Sequence, residues 1–179
     1  ILLQDQKVAG VRSSKKVYQA DLVVSNMDVT PTYRKLLPTI EAPEKKLSQE
    51  RSSSALIFYW GIKKEFEQLG LHNIFFSQDY RKEFEAIFQG VVPANDPTVY
   101  VNITSKDIPS DAPKGCENWF VMVNVPTNKN QDWEQLIPKY KENIISKLNS
   151  ILKTDIRTLI ETENTLTPLD IELKTSSQG

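Results

Sequence analysis

Two apolar runs in the middle of the chain, Thr98–Ile103 and Trp119–Val125, constrain the fold more than any other feature of the sequence. Both are rich in valine and aromatic residues, which favour extended backbone, so each predicts a β-strand. A polar loop of about 14 residues joins them and is longer than the usual hairpin connection. It contains Pro109, Pro113 and Gly115. Loops of this length carry a function or take a special path more often than short ones do.

Large side chains occupy both faces of the second predicted strand, because side chains alternate along a strand. One face carries Trp119, Val121, Val123 and Val125, and the other carries Phe120, Met122 and Asn124. Two interpretations fit this pattern: a central strand of an ordinary mixed sheet, or a strand that lines an apolar ligand cavity.

The stretch Ser54–Lys64 predicts another strand, and its two faces differ. One carries Leu56, Phe58, Trp60 and Ile62, and the other carries Ala55, Ile57, Tyr59 and Gly61. A large aromatic face packs against a helix or against a long apolar substrate, and the sequence leaves both open. Phe58 and Trp60 are the first candidates for the lining of a cavity.

At the N-terminus, the segments Lys7–Ser13 and Lys16–Asn26 predict a hairpin. The second segment contains the continuous apolar run Leu22–Val24, which predicts a strand covered on both faces.

Periodicity and capping residues predict the remaining elements. Helices are predicted at Pro31–Leu37 with Thr30 as cap, Glu44–Glu50, Ser77–Gln89 ended by Gly90, Asp132–Lys153, and after Thr167; strands are predicted at Asn73–Phe76 and Ile156–Thr165. Pro138 indicates that the long helix either kinks or begins near Ile137.

Charge and composition exclude several classes of protein. The 22 basic and 23 acidic residues are mixed along the chain, so no basic stripe indicates nucleic-acid binding. His72 and Cys116 are the single histidine and cysteine, which argues against a metal site and excludes an internal disulfide. His72 is either a surface or structural residue or one that lies near a bound substrate or flavin. Asp107 and Asp111 are expected to be a solvated pair rather than a catalytic one.

Several separated segments resemble one protein family. They are ADLVVSNMDVTPTYRKLLP at Ala20–Pro38, SALIFYWGI at Ser54–Ile62, LHNIFFSQDYRKEFEAIF at Leu71–Phe88, and DPTVYV followed by DAPKGCENWFVMVNVP. Their order and content resemble the central region of bacterial carotenoid desaturases, the FAD-dependent phytoene desaturase type. The resemblance covers essentially the whole chain and is strongest to members that act on hydroxylated or partly desaturated carotenoids.

The resemblance implies the substrate domain of a flavin-dependent, amine-oxidase-like enzyme. We expect an α+β fold with a mixed, mainly antiparallel sheet of about five strands and helices packed on one face. Residues 1–28 would be a hairpin and strand returning to the flavin domain, residues 29–165 the substrate-binding domain, and residues 166–179 the start of the return to the flavin domain.

The resemblance also implies roles for individual residues. Phe58, Trp60, Trp119 and Phe120 would line a site for a carotenoid or related isoprenoid. The backbone at Ser25 and Asn26, which are also good turn formers and helix caps, would lie near the FAD. No residue is predicted to be catalytic, because in such enzymes the flavin takes the hydride and the protein positions the substrate.

The flavin fingerprint of that family is missing from this sequence. The six glycines never form G-x-G-x-x-G, so this chain alone should bind FAD poorly. The first residue is Ile1 rather than methionine, so we expect a fragment of a longer protein. The single cysteine fits a reducing, cytoplasmic compartment. The resemblance implies an enzyme that docks peripherally on a membrane surface. The alternative is a self-standing α+β module that binds a lipid or another protein without catalysis. A glycine-rich βαβ unit encoded before Ile1 would discriminate the two.

Overall fold

The computed structural model describes residues 1–89 and 96–175. Gly90, the predicted end of a helix, lies outside the described residues, as do the last four of the predicted return segment 166–179. The chain divides into two compact units. The first contains Ile1–Glu50 and the described residues from Ile171 onward, and the second contains the described residues of Arg51–Asp170. The predicted division into a flavin-domain segment at residues 1–28, a substrate-binding domain at residues 29–165 and a return segment at residues 166–179 stays a prediction.

The first unit contains a three-stranded antiparallel sheet, in the order β1 (Leu2–Gln4), β2 (Lys7–Arg12) and β3 (Val17–Gln19). The predicted hairpin is confirmed, and its turn is closed by a 2.9 Å hydrogen bond from the Ser13 amide to the Lys16 carbonyl. The sequence did not predict β1.

The prediction of a buried strand at Leu22–Val24 is wrong. This segment is not part of a strand, and Leu22 and Val24 are 78% and 86% exposed. A continuous apolar run indicates a buried strand only where neighbouring strands and a covering layer exist. Within the described residues, no strand pairs with this run.

The short helices of the first unit are α1 (Val29–Pro31), which continues into a π-helical turn at Thr32–Leu36, and α2 (Glu44–Leu47). The cap is Asp28 rather than the predicted Thr30, since the Asp28 carboxylate accepts a 2.8 Å hydrogen bond from the Thr30 amide.

The second unit is built on a five-stranded sheet. In spatial order its strands are β5 (His72–Phe75), β6 (Val99–Ile103), β7 (Glu117–Val125), β4 (Ser54–Ile62) and β8 (Ile160–Leu166). Every adjacent pair is antiparallel, so the α+β class and the mainly antiparallel sheet are confirmed. The expected mixed character is not found among the described strands.

Three helices complete the described elements: α3 (Tyr80–Gln89), α4 (Trp133–Leu152) and α5 (Pro168–Thr175). Asp132 caps α4, as predicted, by accepting a 3.2 Å hydrogen bond from the Gln135 amide. Pro138 lies inside this helix, so the alternative of a helix that begins near Ile137 is wrong. The predicted strand at Ile156–Thr165 begins later, because Ile156–Leu159 form a 3-10 turn.

Helix α4 supplies the layer that covers one face of the sheet. Its apolar residues recur at helical spacing, and Tyr140, Ile144 and Leu148 are at most 2% exposed. They join one core cluster with the inward side chains of β4, β6 and β7. We call that face of the sheet the helix face.

Candidate functional site

The opposite side of the sheet, which we call the pocket face, is half-buried rather than sealed. Its side chains follow from the register, because residues directly opposite in antiparallel strands share a face. They are Ala55, Ile57, Tyr59 and Gly61 of β4; Asn118, Phe120, Met122 and Asn124 of β7; Tyr100 and Asn102 of β6; His72 and Ile74 of β5; and Thr162, Asn164 and Leu166 of β8. Tyr59 is 44% exposed and Ile74 is 55% exposed.

Four rings cross the pocket face on four neighbouring strands, and we call them the aromatic row. The Tyr59 and Phe120 ring centroids are 5.6 Å apart, and those of Phe120 and Tyr100 are 6.2 Å apart, both in edge-on arrangements. His72 stacks on Tyr100 at 6.1 Å. With strands about 4.8 Å apart, the row extends for about 14 Å across the sheet.

A pocket of about 640 Å³ opens on this face. Tyr59 and Phe120 give it an aromatic wall, while the loop between β6 and β7 contributes Pro113 and Cys116. Polar side chains stand at the loop end, namely Asn102, Thr104, Asp111 and Asn118, and others border the pocket along β8, namely Glu161, Thr162, Glu163 and Asn164. A largely apolar concavity with a few convergent polar groups is typical of a small-molecule site.

The loop that borders the pocket is held to the sheet by Asn118. Its Oδ1 accepts a 2.9 Å hydrogen bond from the Ser105 amide, and its Nδ2 donates to Thr104 Oγ1 at 2.7 Å. The Thr104 hydroxyl in turn donates to Asp111 at 2.5 Å. Asp111 therefore helps to shape the loop, and Asp107 is exposed.

The buried carboxylate of Glu117 also holds the loop between β6 and β7 in place. Glu117 is 2% exposed and accepts hydrogen bonds from the Phe66 amide at 2.8 Å and from Trp119 Nε1 at 2.7 Å. It also pairs with Lys106 Nζ at 2.6 Å, which brings the pocket loop onto the start of β7. Sequence reasoning missed this group, although a glutamate directly before an apolar strand was a visible signal.

The predicted substrate-binding residues are divided between the two faces. Phe58, Trp60 and Trp119 point to the helix face and are 0%, 2% and 1% exposed, whereas Phe120 belongs to the aromatic row. Trp60 and Trp119 still border the pocket. The assignment of all four residues to substrate binding stays a prediction.

The predicted flavin-contacting residues lie in the first unit. Ser25 and Asn26 are exposed, and the Ser25 hydroxyl lies 3.1 Å from Thr32 Oγ1 and 3.3 Å from the Met27 amide. These contacts describe a turn that leads into α1. A role in FAD binding stays a prediction for both residues.

Titratable groups with shifted pKa values lie away from the pocket. Burial raises the pKa of Tyr140 within the core, and the nearby Glu83 carboxylate adds to that rise. In the part of the chain that the structure describes, no group of histidine, cysteine and carboxylate side chains could hold a metal ion.

None of the helices in residues 1–89 and 96–175 combines the length and apolar character needed to cross a bilayer.

Comparison with known proteins gives several close relatives. A 1-hydroxycarotenoid 3,4-desaturase from Flavobacterium sp. (strain P99-3) is 60% identical over 173 residues, which are 97% of this chain and 36% of that protein. A 4,4'-diaponeurosporene oxygenase from Staphylococcus haemolyticus is 36% identical over 92% of this chain and 34% of its own length. A phytoene desaturase from Fusarium fujikuroi is 30% identical over 83% of this chain and 30% of its own length.

The chain therefore spans about a third of the length of the curated relatives it matches. No protein-family profile matches it. The family indicated by the separated sequence motifs is confirmed by these relatives, one of which shares more than half of its aligned residues with this chain. The chain belongs to the carotenoid desaturase family.

Proposed function

We propose that this chain is the substrate-covering part of an FAD-dependent carotenoid desaturase, which removes hydrogen from a long polyene. The observation that carries the proposal is the pocket face, where an aromatic row leads into a pocket of about 640 Å³ in a chain of this family. Its relatives have names that specify carotenoid desaturation or oxygenation.

The pocket face suits a rigid, flat, apolar molecule. Tyr59, Phe120 and Tyr100 expose ring edges and faces along one line, so a conjugated chain laid across them would bury apolar surface. Burial of apolar area stabilises such a complex by about 25 cal/mol per Å² before the costs of association. A pocket at one end of the row would then hold one end of the polyene.

The helix face makes the sheet rigid. Because α4 fills that side with a continuous core, the strands that carry Tyr59 and Phe120 are held in a fixed register. A pre-organised wall loses little conformational entropy when a substrate binds.

FAD fits this chain poorly. A dinucleotide pyrophosphate needs a glycine-rich turn at the start of a helix, and the six glycines are not arranged in that way. The Ser25 hydroxyl is already engaged within its own turn. The role that we propose for the pocket-face residues is therefore to bind and orient the polyene and to exclude water from it. The FAD pyrophosphate would be held by other parts of the enzyme, with the backbone at Ser25 and Asn26 near the flavin.

We further propose a hydroxylated or partly desaturated carotenoid as the substrate, collected by the full protein from a membrane surface on which it docks peripherally. The most similar relative reported above has a name that specifies a hydroxycarotenoid, which supports this substrate class.

The test compares the complete product of the gene with residues 1–179 alone. Both proteins are purified, their flavin content is measured by absorbance, and each is incubated with carotenoid in lipid vesicles before the products are separated by chromatography. We expect the complete product to contain FAD and to add double bonds to the carotenoid, and residues 1–179 to do neither.

A complete product that carries FAD but never desaturates a carotenoid would contradict the proposed activity. If that product lacks FAD, and residues 1–179 still bind carotenoid, the pocket would instead belong to a lipid-binding module. That second reading has one observation in its favour, since the pocket is lined entirely by residues of the second unit.

A further inference from the structure

Tyr59 and Phe120 give the pocket an apolar wall, and polar side chains border that wall at two places. Along β8 they are Glu161, Thr162, Glu163 and Asn164. At the end of the pocket where β6 ends and β7 begins they include the amides of Asn102 and Asn118 and the hydroxyl of Thr104. We propose that this polar end binds a hydroxyl group at the terminus of the polyene, with Asn102 Oδ1 as the hydrogen-bond acceptor. The inference rests on the proposed function and names the residues that would select its substrate.

The orientation of the Asn102 amide follows from its neighbours. One atom of this amide lies 3.1 Å from the Leu71 carbonyl oxygen, which can only accept a hydrogen bond, so that atom is Nδ2. The Oδ1 atom is the other atom of the amide, and within the described residues it has no hydrogen-bond partner. Asn102 is half-buried and lines the pocket, so Oδ1 is an acceptor available to a ligand.

Two neighbours hold this amide in place. Asn102 Nδ2 also lies 3.2 Å from His72 Nδ1, and that nitrogen lies 2.8 Å from the Tyr100 hydroxyl. Because Nδ2 can only donate, this contact is a hydrogen bond when His72 Nδ1 is the acceptor. His72 and Tyr100 are therefore positioning residues that fix the amide rather than contacts of the hydroxyl.

Asn118 supplies the complementary donor. Its Nδ2 has two hydrogens, and one is donated to Thr104 Oγ1. Asn102 lies directly opposite Phe120, so Asn118 is its diagonal neighbour, with about 7 Å between such positions on a shared face. Both residues line the pocket. The proposal places the substrate oxygen between the two amides, where it donates to Asn102 Oδ1 and accepts from the second Asn118 Nδ2 hydrogen.

A hydroxyl matches this pair better than a carbonyl does. A hydroxyl both donates and accepts, whereas a carbonyl would accept from Asn118 and leave Asn102 Oδ1 unpaired. A site built to hydrogen-bond a substrate hydroxyl discriminates strongly against the analogue without it, because its polar groups then lose solvent without gaining a partner.

The experiment measures kcat/KM of the complete flavoprotein for two substrates. One is an acyclic carotenoid with a hydroxyl on its terminal carbon skeleton, and the other is its unhydroxylated counterpart with the same number of conjugated double bonds. We expect the wild-type protein to prefer the hydroxylated substrate by at least about 10-fold. In Asn102→Leu, the preference should fall to about 2-fold or less, mainly through a higher KM for the hydroxylated substrate.

The matched control is Asn124→Leu, the same change on the pocket face but outside the pocket. It should leave the preference unchanged. The wild-type dissociation constants of the two carotenoids, measured by quenching of tryptophan fluorescence, test the proposal even if Asn102→Leu fails to fold.

The outcomes separate the two proposals. If the wild-type protein converts neither substrate, the proposed function fails and the inference falls with it. If it converts and binds both equally well, or if Asn102→Leu retains the full preference, the proposed function stands and the inference is overturned. A ketone analogue that is preferred as strongly as the alcohol would also overturn the assignment of Asn102 as acceptor.

Discussion

Glu117 shows how a single buried charge organises the pocket loop. Its carboxylate is paired with Lys106 and accepts two further hydrogen bonds, from the Phe66 amide and Trp119 Nε1. Removing a buried partner leaves the remaining donors without an acceptor, which is more costly than the net contribution of the pair itself.

We expect Glu117→Ala to lower the free energy of unfolding by about 3 kcal/mol, measured by urea denaturation. Glu142→Ala serves as the control, because the Glu142–Arg157 pair is exposed and should contribute little. Equal effects of the two substitutions would show that burial of Glu117 has no energetic consequence.

Tyr140 leads to a prediction about alkaline pH. Burial raises the pKa of this phenol above its ordinary value of about 10, so the folded state keeps the proton that the unfolded state loses. The stability associated with the neutral phenol is therefore complete below about pH 10 and is lost as the pH rises beyond it. Tyr140→Phe should show a weaker decline in melting temperature between about pH 10 and pH 11 than the wild-type protein. Identical declines would contradict the assignment.

At the level of single residues, the sequence predicted which side chains share a face of a strand better than it predicted which face of the sheet that would be. Alternation correctly separated Trp119 from Phe120, but it could not show which face the long helix would cover. The assignment of Phe58 and Trp60 to a cavity stays a prediction, because large aromatic side chains suit both a core and a ligand site and Trp60 borders the pocket. The structure places their side chains under α4, whereas the Asn102 amide became a candidate only when β5 and β6 were paired.

Among the elements, α4 stabilises the sheet through one apolar stripe. Leu148 is fully buried in the core, while Ile151 is 48% exposed. Leu148→Ala should cost about 3 kcal/mol of unfolding free energy, since it removes transfer energy and leaves a cavity. Ile151→Ala should have a much smaller effect in the same denaturation experiment. A similar loss for both would mean that α4 does not pack through the stripe described.

The pairing of β4 with β8 depends on a close approach at Gly61. A Cβ atom at this position would lie 2.4 Å from Thr162 Oγ1, closer than any stable contact. Gly61→Ala should therefore lower stability by about 1–2 kcal/mol, as overpacking does. The double variant with Thr162→Ala should recover most of the loss, measured as a thermodynamic cycle by chemical denaturation. A purely additive result would exclude the contact.

The elements that the sequence predicted well are those with long, regular patterns. Helix α4 and strands β4 and β7 repeat their apolar residues over many positions, so a pattern of this length seldom arises by chance. Strand β1 was missed because its three residues give too short a pattern, and the turn before β2 uses Asp5 and Gln6 at positive φ of 48° and 63°. Such backbone is uncommon outside glycine, asparagine and aspartate, so Gln6 gave no turn signal.

For the whole molecule, the two units differ in how far they meet the sequence-based expectations. The second unit has the expected sheet and helix layer, whereas the first leaves Leu22 and Val24 exposed where a buried strand was predicted. The family was identified by the resemblance and not by local patterns. The shared order of several motifs reflects common ancestry, whereas local patterns predict only secondary structure.

The central claim is that the pocket face contacts the polyene. The measurement that tests it most directly is photo-crosslinking in the complete flavoprotein, with a photoreactive benzoyl-phenylalanine placed either at Phe120 in the aromatic row or at Ile151 on the exposed side of α4. We predict that carotenoid becomes attached at position 120 and not at position 151, as read by mass spectrometry of the digested protein. Attachment at position 151 alone, or at neither position in a protein that still desaturates its substrate, would contradict the account.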